Sequence, residues 1–95
     1  MIEFRGKQCD IVTVDFETYY ARDYSLTTMP TSAYVRDKRF FVQMVGVKIN
    51  DGPTSIYTDP TSILIKLRSI DWSKSLLLCH NTSFDGFICL HKYRI

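Results

Sequence analysis

The sequence predicts one α/β domain built on a mixed sheet, with the element order β-β-β-α-β-α. Three observations favour this fold class: an early strand rich in β-branched residues, a hairpin signal near the middle, and two helical segments separated by a short apolar run. A hairpin followed by a strand–helix unit is typical of a sheet covered by helices. Ninety-five residues suit one domain, so we treat residues 1–95 as a unit.

The first half of the chain contains the predicted hairpin. Residues 10–18 alternate between two sides, as a strand does. One side is apolar (Val12, Val14 and Phe16), and the other holds Ile11, Thr13, Asp15 and Glu17. A short helix is expected around 31–36. Residues 40–49 are apolar on both faces, which predicts a strand covered on both sides. Asn-Asp-Gly-Pro at 50–53 indicates a turn, so residues 54–58 should return as the hairpin partner.

Two helices and one further strand are predicted in the second half. Asp59 suits the N-cap of a helix and Pro60 its first position. The apolar stripe of this helix consists of Ile63, Leu64, Leu67 and Ile70. Residues 71–74 end it, 75–79 form an apolar run typical of a buried strand, and a second helix follows from 82 to about 93.

Composition limits the compartment and the class of partner. The net charge of +2 does not by itself indicate a nucleic-acid partner, and the nearest approach to a basic stripe is Arg36, Lys38 and Arg39. Three cysteines without CxxC spacing argue against a disulfide framework and favour a reducing compartment. The sequence shows no apolar run of about 18 residues and no signal-peptide pattern. We therefore expect a soluble cytoplasmic protein without a membrane partner.

Asp15 and Glu17 are the first candidate metal ligands. Two residues apart on a strand, they leave the same face with Cα atoms about 6.6 Å apart. Their charges repel each other, and Mg²⁺ or Mn²⁺, which prefers oxygen ligands, would relieve this repulsion. The alternative is that the strand has simply reached solvent at this point.

Asp85 is the third candidate, in the first turn of the helix after the run at 75–79. This position lies beyond the carboxyl end of a strand, where open α/β sheets bind ligands. If that strand runs parallel beside residues 12–17, all three carboxylates converge. The alternative is a capping box over residues 82–85, in which Asp85 only accepts an early backbone N–H.

Two motifs of this sequence resemble those of DEDD-type 3′→5′ exonucleases. Residues 15–18, Asp-Phe-Glu-Thr, resemble the first motif (Asp-x-Glu-Thr), and residues 81–85, Asn-Thr-Ser-Phe-Asp, resemble the second (Asn-x-x-Phe/Tyr-Asp). The wider sequence is similar to the proofreading domains of bacteriophage family A DNA polymerases. The resemblance covers about residues 9–91 and corresponds to the N-terminal part of such a domain.

The resemblance implies a ribonuclease H-like fold and two-metal hydrolysis, with Mg²⁺ or Mn²⁺, at the 3′ end of single-stranded DNA. Asp15 would bridge both ions, Glu17 would hold the ion bearing the attacking water, and Asp85 would bind the second. Thr18 and Asn81 would contact the terminal nucleotide. Phe84 would pack beside the site, against sugar or base; it is equally expected as a core aromatic. For a phage protein, the compartment would be the host cytoplasm.

The family's third motif is Tyr or His four residues before a final Asp, on a helix that follows a fifth strand. No such helix is predicted in residues 1–95; Tyr19 and Asp23 have the spacing but fall in a loop. We therefore expect a truncated fold that lacks the last strand and helix, an incomplete two-metal site, and weak or absent activity of the isolated chain. Without a neighbour, the strand at 75–79 would have an open edge. The expected partner is the rest of a split polymerase or a second copy of the chain.

Two other interpretations stay open. The chain could be a non-catalytic ribonuclease H-like remnant that binds a polymerase, nucleic acid or another protein. It could also be a structural fragment that shares only the fold.

Overall fold

The computed structural model describes residues 2–95, which form one α/β unit of five strands and three α-helices. The strands are β1 (Ile2–Phe4), β2 (Lys7–Thr18), β3 (Val42–Ile49), β4 (Ser55–Tyr57) and β5 (Ser75–Leu78). The helices are α1 (Thr31–Arg36), α2 (Pro60–Ser69) and α3 (Thr82–Ile88). A 3-10 turn at Trp72–Lys74 precedes β5, and a π-helical turn at Cys89–Tyr93 continues α3. No helix within residues 2–95 is long and apolar enough to cross a membrane.

The sheet is mixed, and β2 is its central strand. β2 pairs antiparallel with β3 along residues 12–18 and parallel with β5 along residues 10–13. β1 adds to β2, and β4 adds to β3, both antiparallel. The predicted order of elements from β2 to α3 is therefore confirmed, with α1 as the expected short helix. The parallel pairing of β5 with β2 is the arrangement that convergence of the carboxylates requires.

The N-terminal hairpin was not predicted. β1 returns into β2 through Arg5 and Gly6, whose φ angles are 51° and 78°. Positive φ at both central residues is the requirement of the tight hairpin turn whose twist matches the strands. Arginine is an uncommon residue in that conformation, so the sequence lacks the Asn-Gly or Asp-Gly signal that marks most such turns.

The helices cover one face of the sheet. The apolar side of β2 is buried there, as its alternation predicts. α2 begins where predicted: Asp59 accepts the backbone N–H of Ser62 at 2.9 Å, and Pro60 occupies the first turn. Ile63 and Leu67 of its stripe are fully buried against the sheet. The periodicity of the sequence was sufficient to place this part of the core.

The opposite face of the sheet is uncovered, which corrects two predictions. β3 is buried on one side only, because Met44, Gly46 and Lys48 line an open groove bounded by sheet and turn residues alone. β5 is half-exposed rather than buried, and Leu78 is 54% exposed. Apolar composition showed that these strands could be buried, but it could not show that the helices would all lie on the same side.

The outer edge of β5 pairs with no strand in residues 2–95. No charged residue or proline interrupts its Ser-Leu-Leu-Leu sequence. Unpaired edges of this kind invite pairing with another chain. The predicted partner at this edge stays a prediction.

We predict that Asp59→Ala destabilises the protein by about 1 kcal/mol, because the first turn of α2 loses its side-chain acceptor. Urea unfolding followed by far-UV circular dichroism measures the change. Asp59→Ser is the matched control, since serine also accepts at an N-cap, and it should lose far less. Equal losses in the two variants would contradict this role of the Asp59 side chain.

Candidate functional site

Asp15 and Glu17 stand on the uncovered face of β2, and both are exposed. They line a groove of about 250 Å³ with the β3 residues described above. Gly46 is the register partner of Asp15 on β3, so no side chain stands beside Asp15 on that strand. The carboxylate of Asp15 is thereby left open to the groove.

Asp85 reaches the same stretch of β2 from α3. It is only 2% exposed. Its Oδ1 accepts the backbone N–H of Phe16 at 3.4 Å, and its Oδ2 accepts the backbone N–H of Asn81 at 3.4 Å. Both bonds are longer than the usual 2.7–3.2 Å, so the buried carboxylate is only weakly satisfied. Phe16 lies between Asp15 and Glu17 in sequence, which brings the two motifs together across 69 residues of chain.

The surroundings of Asp85 act on its pKa in both directions. Burial raises the pKa of Asp85; the N–H groups of Phe16 and Asn81 lower it, and the charge of Asp15 raises it further. The half-buried Cys79 lies nearby: burial and the charges of Asp85 and Asp15 raise the pKa of its thiol to about 11. Cys79 is therefore a neutral neighbour of the carboxylates at physiological pH.

The capping box over residues 82–85 is not formed, because the N-cap of α3 is Asn81, which makes no side-chain capping bond. The smaller part of that alternative is present: Asp85 accepts an early backbone N–H, and this accounts for only half of the carboxylate. Oδ2 satisfies the N–H of Asn81 at the start of α3, as a capping group does. Oδ1 instead binds β2. A cap alone needs no contact with the central strand, so the second bond calls for a further explanation.

The three carboxylates are not gathered into a closed coordination sphere. Within residues 2–95, no group of three or more His, Cys, Asp or Glu side chains is arranged to hold a metal ion. Asp15 is near enough for its charge to raise the pKa of Asp85, whereas Glu17 lies two residues further along the exposed side of β2. The metal site that combines all three stays a prediction.

A cleft of about 280 Å³ adjoins the acidic residues. It is lined by Phe16, Glu17, Thr18, Tyr20, Ser25, Leu26, Tyr34 and Phe84. Two of the three predicted substrate-binding residues, Thr18 and Phe84, are in this lining. Phe84 is 9% exposed and packs 6.0 Å from the ring of Tyr34, so it is both a core residue and a wall of the cleft. The third, Asn81, is exposed outside the cleft, and its Oδ1 accepts the hydroxyl of Ser83 at 2.9 Å.

Tyr34 is the residue of this cleft that the sequence analysis missed. Its hydroxyl lies 2.9 Å from Thr18 Oγ1 and donates to the carbonyl of Tyr19. Its ring stacks on buried Tyr24 with centroids 4.5 Å apart. No local sequence signal pointed to it, because Tyr34 lies 16 residues from Thr18, on the short helix α1.

Comparisons with protein-family models, with curated proteins and with solved structures gave no match to this chain.

We predict that Asp85 lowers the free energy of unfolding as pH rises. Because burial raises its pKa, the folded protein binds its proton more tightly than the unfolded chain does. The unfolding free energy should therefore fall as pH rises from the unfolded value of about 3.9 through the higher folded value. Urea unfolding between about pH 4 and pH 7 should show a smaller fall in Asp85→Asn than in the wild type.

The matched control is Asp51→Asn, an exposed carboxylate in the turn between β3 and β4. It should follow the pH dependence of the wild type. If Asp85→Asn does so as well, Asp85 does not have a raised pKa in the folded protein.

Proposed function

We propose that this chain carries the first two motifs of a DEDD-type 3′→5′ exonuclease domain with a ribonuclease H-like fold. Its reaction is hydrolysis of phosphodiester bonds at the 3′ end of single-stranded DNA, with Mg²⁺ or Mn²⁺. The observation that supports it best is the bond from the Phe16 N–H to Asp85 Oδ1. This bond brings a buried carboxylate to the strand segment that holds two others.

The donor set suits a hard divalent cation. Asp15, Glu17 and Asp85 offer carboxylate oxygens, which Mg²⁺ and Mn²⁺ prefer. Within the described part of the chain, no Lys, Arg or His forms an ion pair with any of the three. The three carboxylates would hold the metal ions, which would supply an activated water and stabilise the leaving oxygen. The Phe16 N–H donates to Asp85 Oδ1 and so orients the carboxylate of Asp85 toward the strand that holds Asp15 and Glu17.

The cleft suits the terminal nucleoside. Glu17 lines both the groove and the cleft, so the acidic site and the cleft share one side chain. Thr18 and Phe84 then offer a hydroxyl and an aromatic wall beside the scissile phosphate. At about 280 Å³ the cleft is slightly smaller than sites for drug-sized ligands, which suits a single nucleoside. Aromatic contacts tolerate every base, as an exonuclease requires.

The second candidate is a non-catalytic binding module. Two observations favour it: the described residues contain no closed three-ligand group, and the sheet has both an uncovered face and an open edge at β5. A module of this kind would bind a polymerase, nucleic acid or another protein without hydrolysis. Metal binding separates the two candidates.

We predict that Mn²⁺ raises the melting temperature of the protein through Asp15 and Asp85. Metal that binds only the folded state stabilises it by about 2.7 kcal/mol at one hundred times its dissociation constant. Differential scanning fluorimetry over a Mn²⁺ titration should show the shift in the wild type and in Asp51→Asn. Asp15→Asn and Asp85→Asn should lose it. A shift that survives in both site variants, or no shift at all, would favour the binding module.

We predict slow, Mn²⁺-dependent release of single nucleotides from a 5′-labelled single strand. Turnover should be slow because the family's third motif, with its fourth carboxylate, is not found on a helix within residues 1–95. Asp15→Asn should abolish the product ladder, whereas Asp51→Asn should keep it. Rapid hydrolysis abolished by Asp15→Asn would show that the third motif is dispensable, and a ladder unchanged by that variant would rule out Asp15 as a ligand.

A further inference from the structure

A second set of aromatic and basic side chains lies outside the acidic site, where α1 packs on α3. The guanidinium of Arg36, at the end of α1, stands 5.7 Å from the ring centroid of Phe87. Phe87 in turn stacks on His91, with centroids 4.0 Å apart and planes 25° from parallel. His91 and Arg36 are exposed and Phe87 is half-buried. None of these residues has a role in the hydrolytic site.

These side chains continue from the cleft. Phe84, Phe87 and His91 are spaced by three and four residues along α3 and its π-helical turn, so they follow one side of it. Phe84 lines the cleft, and Tyr34 beside it is two residues before Arg36 on α1. At 1.5 Å per residue, the row from Phe84 to His91 is about 10 Å long. We call it the aromatic row; with Arg36 it extends the cleft by the length of one or two nucleotides.

We propose that the aromatic row and Arg36 bind the single-stranded nucleic acid that leads into the cleft. Arg36 contacts a backbone phosphate, and a base stacks on the exposed ring of His91. This inference rests on the proposed function, because the strand is taken to run with its terminal nucleoside in the cleft. Aromatic platforms beside cations are the common means of holding single strands without sequence preference.

The pairing of the basic residues favours Arg36 and Lys92 over Arg39. Arg39 is held by Asp37, at 3.0 Å and 3.1 Å, and lies 3.8 Å from Asp23. Its charge is therefore already neutralised. Arg36 and Lys92 form no ion pair with any residue in 2–95, and Lys92 lies 5.9 Å from the ring of Phe40. Unpaired cations are the ones that can exchange small counterions for phosphates.

The backbone of the row supports a binding role. The turn that holds His91 is π-helical, a rare conformation that occurs frequently at functional sites. An acidic protein segment could satisfy Arg36, but it would make no use of the stacked Phe87 and His91. Nucleic acid uses both the cation and the rings.

Fluorescence anisotropy with a labelled oligo-dT of roughly 12 nucleotides tests the proposal, in EDTA so that no metal contributes. Arg36→Gln should lower the slope of log K against log salt concentration by about 0.7, the loss of one phosphate contact. His91→Ala should weaken binding at least about fivefold, the smallest effect expected for one stacked base. His91→Phe keeps the ring and should restore binding. Lys7→Gln, in the hairpin at the far end of β2, is the charge-matched control and should leave the slope unchanged.

Three results would overturn the proposal: no binding of the oligonucleotide by the wild type, equal binding by all variants, or displacement by polyglutamate as effective as by unlabelled oligo-dT. The last result would identify a site for acidic proteins. Because the measurement contains no metal, its outcome is separate from the Mn²⁺ titration. A protein that binds the oligonucleotide but no Mn²⁺ would reject the hydrolytic function alone. A protein that binds Mn²⁺ but not the oligonucleotide would reject the role of the aromatic row alone.

Discussion

The site depends on where β5 stops. β5 pairs with β2 only as far as Leu78 opposite Thr13, so the edge of β2 beyond Thr13 is free on that side. The chain then turns into α3, and Asp85 occupies the free edge by accepting the N–H of Phe16. A β5 longer by two or three residues would continue the ladder along β2 and exclude the carboxylate. The short strand is thus a condition for the acidic site, and the exposure of Leu78 accompanies it.

The buried position of the Asp85 carboxylate against β2 lowers the stability of the fold in the absence of a cation. Burying a carboxylate costs free energy unless its charge is compensated, and two N–H bonds of 3.4 Å compensate it poorly. Burial of the carboxylate raises the pKa of Asp85, and repulsion from Asp15 raises it further. A structural cap could be provided at lower cost by an exposed Ser or Thr. Keeping a buried Asp beside another Asp is reasonable where a cation completes the site, and perturbed carboxylates of this kind cluster at functional sites.

Sequence patterns predicted what depends on local geometry. The alternation in β2 identified its buried side and left Asp15 and Glu17 on the other, and Asp59-Pro60 identified the start of α2. The parallel pairing of β5 with β2, which the sequence analysis set as the condition for convergence, is present as well. What failed depends on contacts between distant segments. Whether β3 and β5 are covered depends on which face of the sheet the helices pack against. Tyr34 contacts Thr18 only because α1 folds back on the end of β2.

Because α1 packs against the end of β2, the cleft is preformed, although a loop supplies much of its lining. Tyr24 and Tyr34 stack in the core, and the hydroxyl of Tyr24 donates to the carbonyl of Tyr34 at 2.6 Å. Burial raises the pKa of Tyr24 to about 12, so this donor stays protonated. Tyr34 then holds the carbonyl of Tyr19 and the hydroxyl of Thr18. Since these bonds join Tyr34 to the last residue of β2 and to the residue after it, the loop cannot move away from Thr18 without breaking a partly buried hydrogen bond. A ligand in the cleft therefore meets walls that are already in place, and little of its binding energy goes into ordering them.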